Sequence, residues 1–236
     1  MNAVRTLRTD LSPRLAIDVA GEGEALLFLH GIGGNRANWT TQLASLSDQY
    51  RCIAVALRGY GDSEDVATLD FFDFVQDVER VLGQMSVSRC HVFGLSMGGL
   101  VAQAFYARHR DKVASLGIIG SRPGSAPAFE DSKRFAEERA KPIEQGAAAL
   151  ADSLLPRLLG PGVTNEARAA IRASLAKLRP ESYKKVLAAR LAIPPFLKLS
   201  EIAVPTLVVA GSSDQVAPLA QMQAIAAAIP GSESGT

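Results

Sequence analysis

The chain has 236 residues, 47% of them hydrophobic and 21% charged, and its formal net charge is +1. This composition is ordinary for one globular α/β domain, and the near-neutral charge gives no electrostatic case for nucleic acid or an anionic membrane as a partner. The N-terminal segment lacks the apolar core of a signal peptide and no stretch approaches the length of a membrane span, so we expect a cytoplasmic protein. The two cysteines, Cys52 and Cys90, lie in apolar runs and are expected to be buried, reduced thiols.

Strand-like and helix-like runs alternate along most of the chain, which is typical of a mostly parallel sheet with helices on both faces. The predicted strands, in chain order, are Leu15–Val19, Ala25–Leu29, Arg51–Leu57, Cys90–Phe93, Val113–Ile119 and Thr206–Ala210. Two helices are predicted between them, Asn38–Ser47 and Leu69–Met85, and in the second the apolar residues recur at helical spacing. The predicted fold class is therefore α/β.

The alternation stops after about residue 122. From Phe129 to Leu199 there is no strand-like run, and prolines interrupt charged and Ala/Leu-rich segments. We predict three or four helices there, inserted as a lid (123–199) into a core formed by 1–122 and 200–236. Because both flanking connections open at the C-terminal end of the sheet, we expect the lid to lie over that end.

Ser96 lies at the junction between a predicted strand and a helix-like stretch that begins near Leu100. Gly94 and Gly98 flank the serine and give room for a sharp turn, which presents the hydroxyl above the sheet at a helix N-terminus. A Gly-x-Ser-x-Gly string alone is a weak signal, and the strand–turn–helix context strengthens it. Ser96 is therefore the candidate nucleophile.

A serine nucleophile also needs hydrogen-bond donors for the oxyanion that forms on attack. The strand Ala25–Leu29 runs into a glycine-rich turn that includes His30 and Gly31. The backbone N–H groups of Ile32, in this turn, and Met97, after the serine, are the natural pair of donors. The alternative is a tight turn without a catalytic role.

Asp214 follows the predicted strand Thr206–Ala210 by one short turn, ahead of a helix that opens near Pro218. An acid at this end of a sheet is placed to orient and stabilise a histidine base. The alternative is an aspartate that caps the following helix.

Together these motifs resemble the α/β-hydrolase family. The matching segments are the His30–Gly31 turn, Arg58–Ser63, the nucleophile elbow Gly94–Gly98 and Gly211–Pro218, within a resemblance that runs from about Leu15 to Ile229. The elbow and the short lid look most like 3-oxoadipate enol-lactonases, with small carboxylesterases, cofactor-free haloperoxidase-like enzymes and C–C hydrolases close behind.

The resemblance implies a specific set of roles. Ser96 would be the nucleophile, Met97 and Ile32 the oxyanion donors, and Asp214 the acid of the triad. The substrate would be a small ester or lactone, and we expect no cofactor and no metal ion.

The family's histidine should follow the acid after a further helix and strand, yet no histidine occurs beyond position 109. After the predicted helix Leu219–Ile229 only Pro230, Gly231 and the polar tail Ser232–Thr236 remain, which is too short for an average strand and a loop. We therefore expect the last strand and helix to be missing, by truncation in preference to natural loss. The apolar sheet face that this leaves uncovered favours self-association.

The chain has three histidines that could substitute for the missing one. His30 belongs to the glycine turn and is the best stand-in, although the resemblance gives it a structural role. His91 precedes Ser96 by five residues on a strand, so it is expected well below the turn, in the core. His109 ends the helix after the serine and suits a helix C-terminus.

The expected function is hydrolysis of a small ester or lactone through an acyl-Ser96 intermediate, impaired by the absent histidine. Two alternatives stay open, a non-catalytic ligand-binding protein of the same fold and acyl transfer or perhydrolysis on the same serine. Arg122, just after the predicted strand Val113–Ile119, is either a partner for a substrate carboxylate or a surface arginine.

Overall fold

The computed structural model describes residues 2–125, 137 and 140–236. Its strands are β1 (Arg5–Arg8), β2 (Ala16–Ala20), β3 (Ala25–Leu29), β4 (Arg51–Val55), β5 (Cys90–Leu95), β6 (Val113–Ile119), β7 (Thr206–Val209) and β8 (Glu233–Gly235). They form one sheet in the order β1-β2-β4-β3-β5-β6-β7-β8. β2 is antiparallel to both β1 and β4, and every other neighbouring pair is parallel. The predicted, mostly parallel sheet is confirmed.

The central strands were the easiest to predict because both of their faces are buried, which gives continuous apolar runs. All five residues of β3 are buried, and both β3 and β6 have the predicted bounds. β5 extends two residues further than predicted, because Gly94 and Leu95 continue the ladder with β6.

The α-helices whose bounds the structure describes are α1 (Thr40–Leu46), α2 (Asp73–Gln84), α3 (Met97–Arg108), α4 (Ala147–Leu158), α5 (Asn165–Leu175), α6 (Pro180–Leu191) and α7 (Leu219–Ala228). A 3₁₀ turn at Arg36–Trp39 leads into α1, so the first predicted helix is confirmed as this pair of elements. α2 begins later than predicted because Asp70 forms a turn ahead of it, where its carboxylate accepts a hydrogen bond from the Phe72 N–H at 2.8 Å.

Helices cover both faces of the sheet. Because successive side chains of a strand point to opposite sides, alternate residues of one strand belong to two different apolar clusters. Leu27 and Val92 belong to the larger core, which includes the buried residues of α2, α3 and α7. Leu26 and Phe28 belong to a smaller cluster with Trp39, whose ring lies 5.0 Å from that of Phe28.

One row of side chains on this second face crosses four parallel strands, and only one of its ends is covered. The paired residues are Phe28, Phe93, Gly117 and Leu207, on β3, β5, β6 and β7. Phe28 is buried beside Trp39, whereas Leu207 is 38% exposed. One apolar side chain of this row is therefore exposed at the β7 end, and the uncovered apolar face and self-association through it stay predictions.

The tail requires a correction. Residues 232–236 were expected to form no strand, yet Glu233–Gly235 pairs in parallel with Leu207–Val209, and the Ala210 N–H donates to the Gly235 oxygen at 3.0 Å. Polar side chains do not prevent this, because a strand added to an edge is held by backbone hydrogen bonds and needs no apolar run.

The predicted insertion contains α4, α5 and α6, while residues 126–136, 138 and 139 lie outside the described part. Its helices contact the loops that follow β3 and β4. The Asn35 amide donates to the Ser174 hydroxyl at 2.9 Å, and the Arg179 guanidinium donates to the Ser63 carbonyl at 2.8 Å. Among the described residues, no helix combines the length and the apolar character needed to span a bilayer.

Candidate active site

The backbone of Ser96 is strained. Its φ is 53° and its ψ is −111°, a region that a residue with a side chain rarely adopts. The Ser96 N–H donates to the Ile119 carbonyl at 2.8 Å, so the neighbouring strand β6 fixes one side of the residue. Such strain persists only where the surroundings over-determine the conformation, and it concentrates at functional sites.

Gly94 and Gly98 make the turn possible by close approach, because neither has a positive φ. A Cβ on Gly94 would overlap the backbone of Gly98, and a Cβ on Gly98 would lie 2.7 Å from the carbonyl carbon of Leu29. The two glycines therefore let the start of α3 approach β5 and β3. This is the role that the sequence predicted.

The turn after β3 lies directly against the serine. A Cβ built on Gly31 would stand 3.2 Å from the Ser96 Cβ, and the turn is closed by a hydrogen bond from the Gly34 N–H to the Gly31 carbonyl at 3.0 Å. Ile32 follows Gly31 in this turn. Met97 is the first residue of α3, so its N–H has no acceptor within the helix and points out of the positive end of the helix dipole. The arrangement places Met97 and the turn that contains Ile32 next to the serine.

Asp214 reaches the same end of the sheet from the loop after β7. Its Oδ1 accepts the N–H groups of Val216 at 2.7 Å and Ala217 at 2.9 Å. Its Oδ2 lies 3.3 Å from the position that a Cβ on Gly120 would occupy, and Gly120 directly follows Ile119, the acceptor of the Ser96 N–H. The turn ends before α7 begins, so Asp214 orders the loop. The alternative role for Asp214, as the cap of the following helix, is therefore wrong.

His30 is fully committed to the backbone. The Leu57 N–H donates to its Nε2 at 3.0 Å, so the proton lies on Nδ1, which donates to the Gly31 carbonyl at 2.8 Å. Burial lowers the pKa of His30 to about 4, against a smaller opposing effect of the bond to Gly31. A neutral ring with both nitrogens bonded cannot accept the proton of Ser96. His30 instead ties the loop after β3 to the end of β4.

The other two histidines lie away from the serine. His91 is near the start of β5, where its Nδ1 lies 2.7 Å from the Ser115 hydroxyl and its Nε2 lies 3.1 Å from a carboxylate oxygen of Glu24. His109 follows α3, whose 12 residues span about 18 Å, and its Nδ1 lies 3.6 Å from a carboxylate oxygen of Glu79. The structure therefore brings no histidine to Ser96.

Arg122 lies just after β6, at the same sheet edge as Ser96. It is half-buried, and this burial lowers the pKa of its guanidinium. Its carbonyl accepts a hydrogen bond from the Gln103 side chain at 2.9 Å. Burial argues against a fully solvated surface arginine.

Two residues of the site escaped the sequence analysis. The Ser121 hydroxyl donates to the carbonyl of Ser96 at 2.6 Å, and the buried Gln103 of α3 also accepts the Gly124 N–H at 2.8 Å. The only signal in the sequence is that Ser121 lies two residues after the predicted strand Val113–Ile119. Its contact with a residue 25 positions earlier depends on the sheet register.

A buried ion pair fixes the base of a second loop at this edge. Arg58, three residues after the end of β4, binds both carboxylate oxygens of Asp77 on α2, at 2.6 and 2.7 Å. Burial raises the pKa of Asp77, against the opposing effect of Arg58. The bidentate geometry holds the turn from Arg58 to Ser63 against α2.

The family model that matches the chain is described as the alpha/beta hydrolase fold and covers residues 24–234. Among curated proteins, 3-oxoadipate enol-lactonase 1 of Acinetobacter baylyi is 28% identical over 209 residues, which are 86% of this chain and 76% of that protein. Epoxide hydrolase 3 of Xenopus tropicalis is 35% identical over 104 residues, 43% of this chain, but the match spans only 28% of that protein.

Two solved structures show the same architecture at somewhat lower identity. A thermophilic esterase from Thermogutta terrifontis superposes with a TM-score of 0.88 at 27% identity, over 98% of this chain and 88% of its own. The enol-lactonase from Burkholderia xenovorans superposes with a TM-score of 0.86 at 26% identity, over 98% of this chain and 90% of its own.

Proposed function

Because the chain belongs to the α/β-hydrolase family, we propose that it is a serine hydrolase that cleaves a small ester or lactone through an acyl intermediate on Ser96. The observation that carries the proposal is the strained backbone of Ser96, held against the glycine turn at Gly31. The esterase and enol-lactonase names of its relatives support an ester or lactone as the substrate class.

In the acylation step, the Ser96 Oγ bonds to the carbonyl carbon while its proton passes to a base. The N–H groups of Ile32 and Met97 stabilise the oxyanion, and the tetrahedral intermediate collapses as the alcohol oxygen leaves with a proton from the base. Water then repeats the sequence and releases the acid. The Oδ2 of Asp214 would orient the base.

The lack of a histidine base near Ser96 would limit the activity of the 236-residue chain. His30, His91 and His109 are all engaged elsewhere, so both chemical steps would depend on a base from solution. Loss of the histidine of a serine triad lowers turnover by on the order of 10⁶, and an intact oxyanion hole leaves a rate roughly 10³–10⁴ above that in water.

The engagement of all three histidines away from Ser96 also favours a second candidate, a ligand-binding protein that keeps the pocket without the chemistry. Acyl transfer or perhydrolysis would share the acyl-Ser96 intermediate.

We assign 123–199 to a lid over the site and 1–122 with 200–236 to the core. The support comes from α5, whose last residue Leu175 contacts Gly33 beside the proposed oxyanion donor Ile32, and from α6, which packs on Gly59. A lid in these contacts would shape the substrate pocket and exclude water from it.

The test is acylation of the protein by p-nitrophenyl acetate, followed by intact mass spectrometry with and without imidazole. We expect one acetyl group on the wild-type protein and none on Ser96→Ala. Ser86→Ala is the matched control, because Ser86 is the other described non-glycine residue with a positive φ, 54°. Equal acetylation of the wild-type protein and Ser96→Ala contradicts the proposal, and saturable ligand binding without acetylation favours the binding protein.

A further inference from the structure

Ser121 contacts the backbone of the proposed nucleophile directly. Its side chain is buried, with the residue 2% exposed, and its hydroxyl donates to the Ser96 carbonyl at 2.6 Å. The same carbonyl accepts the N–H groups of Gly99 at 3.0 Å and Leu100 at 3.3 Å, which are ordinary bonds of a helix start. Ser121 is thus the donor from outside the helix, and it comes from the exit of the neighbouring strand β6.

Ser121 is itself held on both sides by α7. Its N–H donates to the Met222 sulfur at 3.3 Å, and its carbonyl accepts a hydrogen bond from the Gln221 side chain at 2.9 Å. α7 is the helix that follows the Asp214 turn. The exit of β6 therefore links the segment that carries the serine to the segment that carries the acid.

The packing around the Ser121 hydroxyl explains why position 99 is a glycine, which the sharp turn at Ser96 does not by itself require. A Cβ on Gly99 would lie 2.6 Å from the Ser121 Oγ and 2.7 Å from its Cβ. Any larger residue at position 99 would push Ser121 away from the Ser96 carbonyl. The second glycine of the Gly98–Gly99 pair is therefore matched to Ser121.

The consequence follows from peptide geometry. The carbonyl of Ser96 and the N–H of Met97 belong to one planar trans peptide, so they point in opposite directions and turn together. We propose that Ser121 is a positioning residue that aims the Met97 N–H at the oxyanion by holding the Ser96 carbonyl. This inference rests on the proposed function, because it assigns Ser121 to the oxyanion hole of that reaction.

The test separates reaction from binding. A fluorophosphonate probe is incubated with the protein in imidazole buffer, and intact mass spectrometry gives the first-order labelling rate at saturation and the half-saturating probe concentration. Removal of one oxyanion donor lowers rates by about 10²–10³-fold, and a misaimed donor should lose about 10-fold. We expect Ser121→Ala to slow labelling at saturation about 10-fold, with the half-saturating concentration unchanged.

Ser63→Ala is the matched control. Ser63 is 1% exposed, its hydroxyl also donates to a carbonyl, that of Ala56, at 2.6 Å, and it accepts the Ala16 N–H at 2.9 Å. Its loss should lower the melting temperature at least as much as the loss of the Ser121 hydroxyl, while labelling at saturation stays within twofold of wild type.

The outcomes are distinct. If wild type is labelled at Ser96 and Ser121→Ala reacts equally fast, the positioning role is overturned while the proposed function stands. Equal slowing by Ser63→Ala also overturns it, because the loss then reflects general destabilisation. If wild type is not labelled at Ser96 with imidazole present, the proposed function fails, and the role of Ser121 fails with it.

Discussion

The two halves of the site are held by different kinds of contact. Around Ser96, the loops after β3, β5 and β6 touch through buried backbone, as shown by Gly31, Gly98 and Ser121. Around Asp214, a half-buried carboxylate orders its own loop, and the adjoining edge of the sheet is a three-residue strand. The nucleophile half is held by contacts between three loops, whereas the acid half has a half-buried carboxylate that orders its own loop and no histidine beside it.

A strained serine needs a rigid frame, and the buried half supplies one. The proposed oxyanion donors, Ile32 and Met97, would share that frame. The proposed base would need a position and an orienting acid, and Asp214, the proposed acid, lies on the exposed half. The comparison predicts that changes in the buried half affect stability and reactivity together, whereas changes in the acid half affect reactivity alone.

The largest expected effect is on the buried half. Gly98→Ala places a Cβ 2.7 Å from the Leu29 carbonyl carbon, where only backbone movement relieves the overlap. We expect the free energy of unfolding to fall by about 3 kcal/mol in urea titrations. Gly83→Ala is the control, because Gly83 lies inside α2 with nothing within 4 Å of the added Cβ. That substitution should raise stability by about 0.5–1 kcal/mol, and equal effects of the two would contradict the close packing.

The same contrast explains what the sequence could predict. β3 was predicted to the residue because burial on both faces leaves an apolar run, and the elbow was predicted because only glycines allow its backbone contacts. β8 was missed because Glu233–Gly235 is held by backbone hydrogen bonds that leave no mark on side-chain pattern.

Contacts set by register were also beyond the sequence. The position of Ser121 opposite the Ser96 carbonyl depends on the pairing of β5 with β6, and no local pattern encodes that pairing. The hydrogen bond from the Leu57 N–H to His30 likewise needs the loops after β3 and β4 to meet. Apolar periodicity and glycine spacing give the frame, and the polar contacts within it appear only once the strands are aligned.

The second prediction concerns pH. Burial lowers the pKa of His30 to about 4 in the folded protein, below its ordinary value of 6.5. Between these two pKa values the unfolded chain binds a proton at His30 and the folded chain does not. The stability contributed by neutral His30 is therefore fully present above pH 6.5 and is lost as the pH falls towards 4. We expect a loss of about 3 kcal/mol over this window, measured by urea unfolding.

His30→Asn is the comparison for that measurement. It should be less stable than wild type at pH 7, and its stability should vary much less between pH 6.5 and 4.5. A wild-type profile that is flat over this range, or one that His30→Asn reproduces, would show that the buried half is not the source of the acid sensitivity.

The third prediction concerns Asp214 and the acid half of the site. Imidazole should speed p-nitrophenyl acetate hydrolysis by the protein in a saturable manner, after subtraction of the rate with Ser96→Ala protein. Asp214→Asn keeps an oxygen for the Val216 and Ala217 N–H groups but removes the charge, so the imidazole-dependent rate should fall about tenfold. Asp152→Asn, which changes a carboxylate paired with Arg172 on the surface, should leave that rate unchanged. Equal rates for the two variants would remove Asp214 from the role of the acid.

The smallest effect is expected at the uncovered end of the row that runs from Phe28 to Leu207. Leu207→Lys places a charge on a residue that is 38% exposed, so stability should change by less than about 0.5 kcal/mol. If this apolar face drives self-association, light scattering should show a larger monomer fraction for Leu207→Lys than for wild type. Leu11→Lys, at a leucine that is 63% exposed outside this row, should associate like wild type. If all three proteins have the same monomer fraction, the exposed leucine at β7 does not drive self-association. The difference between the two halves of the site then concerns reactivity alone.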